Sequence, residues 1–70
     1  MKVDDVYCLD CEEDAIYADL KEEPSGYKVG ALCADCNRDY GVLHRIPRRD
    51  IDRIDDAWTQ AEEIVRQYLD

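Results

Sequence analysis

Apolar residues recur at steps of three and four along the last third of the chain. The main stripe consists of Ile51, Ile54, Trp58, Ala61, Val65 and Tyr68, and it is widened by Ala57, Ile64 and Leu69. This period is that of an amphipathic helix with one buried face. Pro47 disfavours helix at the residue before it, and Asp50 suits an N-cap. The pattern therefore predicts a C-terminal helix of about 20 residues that begins after Asp50.

Two runs of apolar, β-prone residues lie on either side of a turn sequence. Residues 15–20 form the first run, and in residues 27–32 Lys28 and Gly30 alternate with apolar positions. Between them, residues 22–26 (EEPSG) contain the proline and glycine typical of a turn. This region therefore predicts a β-hairpin over residues 14–32.

The segments on either side of the hairpin carry weaker signals. Val3, Val6 and Tyr7 predict a brief strand in the lead-in, residues 1–7. Residues 34–40 predict a short helix that ends at Gly41, a residue type common just after a helix. Residues 42–49 are then expected to connect this short helix to the C-terminal one.

Four cysteines form two C-x2-C pairs, Cys8 with Cys11 and Cys33 with Cys36. Each motif places two thiolates on one tight turn, so two motifs supply four ligands to one tetrahedral ion. The predicted ion is one Zn(II), with iron or a pair of disulfides as the alternatives. Four protein ligands leave no position for water or substrate, so the predicted site is structural.

The predicted order of elements resembles a known zinc fold. A knuckle, a hairpin and a second C-x2-C at the start of a helix resemble the treble clef. Residues 32–40 (LCADCNRDY) are similar to the L-C-x-x-C-G-x-Y-Y segment of GATA-type fingers. The resemblance covers residues 7–44 and implies a zinc finger, with a plain zinc ribbon as the alternative.

The predicted fold class is therefore a small α+β zinc-bound domain. Its zinc knuckle and β-hairpin are followed by a short helix and a long C-terminal amphipathic helix. Residues 1–46 form the zinc-binding module, and residues 47–70 form the helix, which packs on the module as part of a single domain.

Size and charge limit what this domain can do. The core of a 70-residue chain rarely contributes more than about 3–5 kcal/mol, so metal binding is expected to drive folding. Eighteen acidic and nine basic residues give a formal charge of −9, and lysine is scarce. This composition resembles that of salt-adapted haloarchaeal proteins, with a mesophilic acidic protein as the alternative. No secretory signal and no apolar run of about 18 residues is visible, so we expect a cytoplasmic protein without membrane contact.

Arginines concentrate in one segment of this acidic chain. Residues 38–53 contain five arginines against three aspartates. The arginines are Arg38, Arg45, Arg48, Arg49 and Arg53. They predict either a strip that contacts phosphates or a set of ion pairs within the chain itself.

The end of the C-terminal helix is the second candidate surface. A helix of about 20 residues is about 30 Å long and extends beyond a hairpin and a knuckle. Ile64, Val65, Tyr68 and Leu69 are therefore expected to be exposed for a protein partner or a second copy of the chain.

These observations favour a non-enzymatic protein-interaction module with structural zinc. The alternative is a nucleic-acid-associated finger, related to transcription or the ribosome, that uses the arginines. A small-molecule substrate is not expected, because the chain is too short to enclose a pocket. His44 is expected to have a surface or packing role, because four cysteines already suffice as ligands.

Overall fold

The computed structural model of the chain describes residues 1–69, which form a small α+β fold. Three strands, β1 (Ile16–Glu23), β2 (Gly26–Cys33) and β3 (Asp39–Pro47), form one antiparallel sheet in the order β1-β2-β3. A short 3-10 turn (Arg48–Asp50) leads to the helix α1 (Ile54–Leu69). Because α1 packs across all three strands, one core lies between the helix and the sheet.

The predicted hairpin is confirmed as β1 and β2. The strands pair along their full lengths, with Ile16 opposite Cys33 at one end, and only residues 24–25 connect them at the other. Gly26 has a φ of 152°, and a Cβ atom there would overlap the carbonyl oxygen of Ile46. Glycine at this position therefore allows β3 to pass close to the hairpin turn.

The second cysteine pair leads into a strand, so the prediction of a short helix over residues 34–40 is wrong. Residues 34–36 form a turn, and β3 occupies most of the predicted connector as well. β3 contains tyrosine, valine, leucine and isoleucine, which fit a pleated surface, and its backbone bonds to β2. Gly41 does not end a helix; it has a φ of 74° and lies at an irregularity in the pairing of β2 with β3.

The amphipathic C-terminal helix is confirmed, but it begins later than predicted. Asp50 lies in the 3-10 turn and Ile51 is extended, with a φ of −123° and a ψ of 117°. The helical hydrogen bonds therefore start from the carbonyl oxygen of Arg53, which accepts the N–H group of Ala57 at 3.4 Å. The predicted end of the helix at Asp70 lies outside the described residues.

The face of α1 that packs on the sheet is lined by small side chains. Ala57, Ala61 and Val65 are fully buried there. Short side chains allow the helix axis to come close to the strands, so the larger residues of the sheet fill the core.

The lead-in completes the core without forming a full strand. Lys2 makes a single bridge with Tyr17, and the N–H group of Val3 donates to the carbonyl oxygen of Ile16 at 2.9 Å. Val3 and Val6 are buried, whereas Tyr7 is exposed. The predicted boundary after residue 46 lies at the end of β3, and the division into two segments stays a prediction.

Candidate metal centre

Two turns carry the four cysteines. In the first turn, the carbonyl oxygen of Cys8 accepts the N–H group of Glu12 at 3.0 Å. In the second turn, the N–H group of Cys33 donates to the carbonyl oxygen of Arg38 at 2.8 Å. The strands hold the two turns side by side, because the pairing of β1 with β2 returns the chain to the first turn.

The four sulfur atoms form one compact group. All four lie within 4.8 Å of one another, and the Cys8–Cys36 and Cys11–Cys33 sulfur pairs are each 3.6 Å apart. A tetrahedral zinc ion with Zn–S bonds of about 2.3 Å requires S–S separations of about 3.8 Å. A disulfide requires about 2.05 Å, and all four cysteines are free. The cysteines are therefore positioned to bind one metal ion, in agreement with structural zinc.

The residue after each cysteine pair adopts a left-handed conformation. Glu12, which follows Cys11, has a φ of 60°, and Asn37, which follows Cys36, has a φ of 61°. Metal knuckles commonly use glycine there, because glycine tolerates a positive φ without strain. The chain keeps the backbone shape of a knuckle at both turns without using glycine.

Tyr40 is the polar side chain closest to the first cysteine. Its hydroxyl lies 3.1 Å from the Cys8 sulfur and accepts the N–H group of Leu9 at 2.9 Å. Burial and the neighbouring sulfur raise the pKa of Tyr40, and the hydrogen bond between its hydroxyl and the Cys8 sulfur lowers the pKa of that thiol. The backbone N–H group of Asp10 donates to the same sulfur at 3.4 Å. Such outer contacts orient a thiolate ligand and stabilise its charge.

Hydrogen bonds and burial separate the pKa values of the thiols. The Tyr40 hydroxyl, followed by backbone N–H groups, lowers the pKa of Cys8 to about 6. At Cys11 a backbone hydrogen bond lowers the pKa, but burial and the neighbouring sulfurs outweigh it, so the pKa is raised. At Cys36 a backbone hydrogen bond also lowers the pKa, but burial and the sulfurs of Cys8 and Cys33 together outweigh it, so the pKa is raised. Cys8 is therefore the thiol poised as a thiolate, and a bound cation would displace the protons of Cys11 and Cys36.

Most of the candidate arginines are engaged within the chain. Arg38 pairs with Asp10, Arg45 with Glu23, Arg48 with Glu22 and Arg53 with Asp55. Only Arg49 lacks an ion-pair partner within residues 1–69. The arrangement follows the alternative of ion pairs within the chain, and the role of these arginines in binding stays a prediction.

The four helix residues proposed for a partner differ in exposure. Tyr68 is 54% exposed, whereas Ile64 and Leu69 are half-buried. The expectation that Val65 is exposed is wrong, because its side chain is fully buried against the sheet. α1 covers the sheet further along its length than the sequence indicates, since β3 widens the surface beneath it.

Two exposed residues that the sequence analysis does not identify as a surface lie beside this end of the helix. Tyr7 and Leu9 are 58% and 59% exposed, and they line one shallow depression together with Leu69. The Tyr68 ring meets the Tyr40 ring edge-on, with centroids 6.3 Å apart. We call Tyr7, Leu9, Tyr68 and Leu69 the metal-end patch. The sequence carries one signal for this exposed surface. Leu9 is an apolar residue inside a C-x2-C turn, and such turns face solvent.

Compared with known proteins, the chain matches no family model, no curated protein and no solved structure. Within the described part of the chain, no helix has the length and apolar character needed to cross a bilayer. His44 is exposed and does not belong to the group of four sulfurs. The class of protein that fold and site define is therefore a small α+β domain with a cluster of four cysteines positioned to bind one metal ion.

Proposed function

We propose that this chain is a non-enzymatic protein-interaction module organised by one structural Zn(II) ion. The observation that carries the proposal is the position of the metal-end patch directly on the first cysteine turn. Leu9 lies between two ligands, so the metal fixes the backbone that presents this exposed side chain. Tyr68 and Leu69 reach the same end of the molecule from α1.

The proposed fold type is a zinc ribbon rather than a treble clef. Both cysteine turns lie next to strands of one three-stranded sheet, and the second turn is followed by β3. A treble clef places its second ligand pair at the start of a helix, and this chain has strand there. Four thiolates around one zinc ion leave no open coordination position, which supports a structural role.

An exposed apolar patch of this kind favours a protein partner over nucleic acid. Soluble proteins rarely leave several large apolar side chains exposed together unless the surface binds something. Acidic residues, Asp5 and Glu12, border the patch, and the chain as a whole carries −9, which opposes a phosphate backbone. Reduced thiolates suit a reducing compartment, and cytoplasmic localisation stays a prediction.

The test uses the zinc-loaded chain as bait in lysate of its host, with and without nuclease. We expect a partner that survives nuclease, is retained by the wild type and is lost on Leu9→Asp. The matched control is Ile54→Asp, because Ile54 is also about half exposed (52%) but begins α1 at the opposite end. Equal retention by Leu9→Asp and wild type contradicts the proposal.

The competing nucleic-acid hypothesis has its own variant. Replacing Arg45, Arg48 and Arg49 by Ala is expected to leave the protein partner bound. Loss of a nuclease-sensitive complex in that variant would assign the arginines to phosphate contacts instead. Light scattering of the purified chain distinguishes a second copy from a different partner.

A further inference from the structure

The sheet has a second face, turned away from α1, with its own arrangement of side chains. Residues of the inner face, such as Ile16 and Val29, belong to the core. The outer face is set by the strand register and carries Tyr17, Asp19, Lys21, Glu23, Lys28, Gly30, Leu32, Asp39, Val42 and Arg45. Nothing in the metal centre or the metal-end patch uses this surface.

Three basic residues form one row across the outer face. Lys21 lies directly opposite Lys28, and Lys28 lies directly opposite Arg45. Neighbouring strands are about 4.8 Å apart, so the row places the backbone positions of three basic residues within about 10 Å. Like charges placed directly opposite each other destabilise a sheet. A row of this kind is therefore unfavourable for the fold alone and favourable when an anionic group lies across it.

The two lysines are available for such a group. Within residues 1–69, neither Lys21 nor Lys28 has a carboxylate within 4.0 Å, whereas Arg45 lies 3.5 Å from Glu23. The chain has only three lysines, and the third, Lys2, pairs with two aspartates. Two of the three lysines thus lie opposite each other and have no ion-pair partner among residues 1–69, although the chain has twice as many acidic as basic residues.

Apolar side chains lie beside the basic row. Tyr17 and Leu32 face each other across β1 and β2 and are 36% and 40% exposed, and Val42 is 53% exposed. Gly30 lies between them and leaves a hollow lined by Lys21, Lys28, Leu32 and Val42 among others. The bulged β3 requires this glycine, because a Cβ atom would lie 2.7 Å from the carbonyl oxygen of Gly41.

We propose that the outer face binds an acidic, amphipathic polypeptide segment, with an apolar side chain over Gly30 and carboxylates on Lys21 and Lys28. The charge of the row selects carboxylates, and the apolar side chains beside it select a segment that also carries valine or leucine. A nucleic acid fits less well, because it carries a charge on every nucleotide, so phosphates beyond those on the row would face Asp19, Asp39 and the net charge of −9. The proposed segment has carboxylates only at the two lysines and an apolar side chain elsewhere. The outer face therefore suits an acidic protein segment. The metal-end patch is bordered by acidic residues and suits a segment of the opposite charge.

The test is a titration of the isotope-labelled, zinc-loaded full chain, followed by NMR. The probe is a short peptide in which glutamate alternates with valine. We expect shift changes at Lys21, Lys28, Gly30 and Leu32, with the metal-end residues unaffected. Lys28→Glu is expected to weaken binding about fivefold to tenfold, because it replaces an attraction by a repulsion.

The matched control is Arg53→Glu, which makes the same charge change next to the start of α1, on the other side of the sheet from the outer face. It is expected to leave the peptide affinity within about twofold of wild type, because binding depends on the local row. Equal weakening by both variants overturns the proposal in favour of unspecific attraction. No shift changes, or changes confined to Tyr7 and Leu9, also overturn it.

A labelled oligothymidylate is titrated in parallel. Tighter binding of this oligonucleotide at the same residues would replace the polypeptide by single-stranded nucleic acid. Because the probe and the variants differ from those used for the metal-end patch, failure here leaves the proposed function standing, and the reverse also holds.

Discussion

The hydroxyl group of Tyr40 on β3 lies 3.1 Å from the sulfur of Cys8 on the first cysteine turn. The same Tyr40 ring packs under the guanidinium of Arg38, 4.7 Å from the ring centroid, and against the ring of Tyr68. One side chain therefore joins a ligand, the third strand and the end of α1. This relationship links the metal centre to the patch proposed for a partner.

Tyr40→Phe is expected to weaken zinc binding about tenfold. The ring and its packing remain, but the thiolate of Cys8 loses its side-chain hydrogen bond, and outer contacts of this kind typically contribute 10–100-fold in metal affinity. Competition with a chromophoric chelator measures the change. Tyr17→Phe is the control, because Tyr17 lies on the outer face of the sheet. Equal affinities for the two variants would show that the hydroxyl does not act on the metal.

Cys36→Ser is expected to abolish tight zinc binding and the dispersed NMR spectrum of the folded chain. We expect a chain of this size to depend on the ion for folding, since structural zinc contributes on the order of 10 kcal/mol. Asp35→Asn, at the neighbouring exposed position, is expected to retain both metal and fold. A dispersed spectrum of Cys36→Ser without metal would contradict the structural role of the site.

Stability is expected to fall as the solution becomes acidic. The pKa of Cys8 is depressed from an ordinary value of 9.0 to about 6, so its stabilising contribution is complete above pH 9 and is lost as pH falls through about 6. A bound metal depresses thiol pKa values further and moves this loss to lower pH. Circular dichroism with a zinc-sensitive dye, followed against pH, tests the direction. Unfolding and zinc release that increase with rising pH would contradict it.

Arg48→Ala is expected to lower the free energy of unfolding by about 1 kcal/mol. The Arg48 guanidinium donates to the carbonyl oxygen of Glu23 at 2.7 Å and to that of Pro24 at 3.3 Å, which ties the hairpin turn to the end of β3. The adjacent Arg49 has no side-chain hydrogen bond or ion pair to residues 1–69, so Arg49→Ala provides the matched control. Thermal unfolding measures both variants. Equal stability of the two would remove the structural role of Arg48.

Val65→Ala is expected to destabilise the chain by about 2 kcal/mol, because it opens a cavity in a fully buried site. Ile54→Ala, at an exposed position of the same helix, is expected to change stability by less than about 0.5 kcal/mol. Denaturant unfolding at constant zinc concentration compares them. A small effect of Val65→Ala would mean that α1 does not pack on the sheet as described.

The hairpin, the helix and the ligand set were predictable because their signals are local. The C-x2-C spacing, the alternation around the turn and the period of residues 51–69 each depend on neighbours a few positions away. The third strand was missed because residues 34–47 carry no such period. Their conformation depends on hydrogen bonds to the backbone of β2, whereas the prediction of a short helix depends on local signals, Asp35 near its start and Gly41 at its end.

The sequence by itself determined the four candidate ligand cysteines, the hairpin and the apolar stripe of the helix, because spacing and periodicity act within one segment. Tertiary structure alone decided that Tyr40 reaches Cys8, that Val65 is buried and that Lys21, Lys28 and Arg45 form one row. These relationships depend on strand register and helix placement. Both are set by the packing of segments distant in the chain, and a shift of one residue in register moves a side chain to the opposite face.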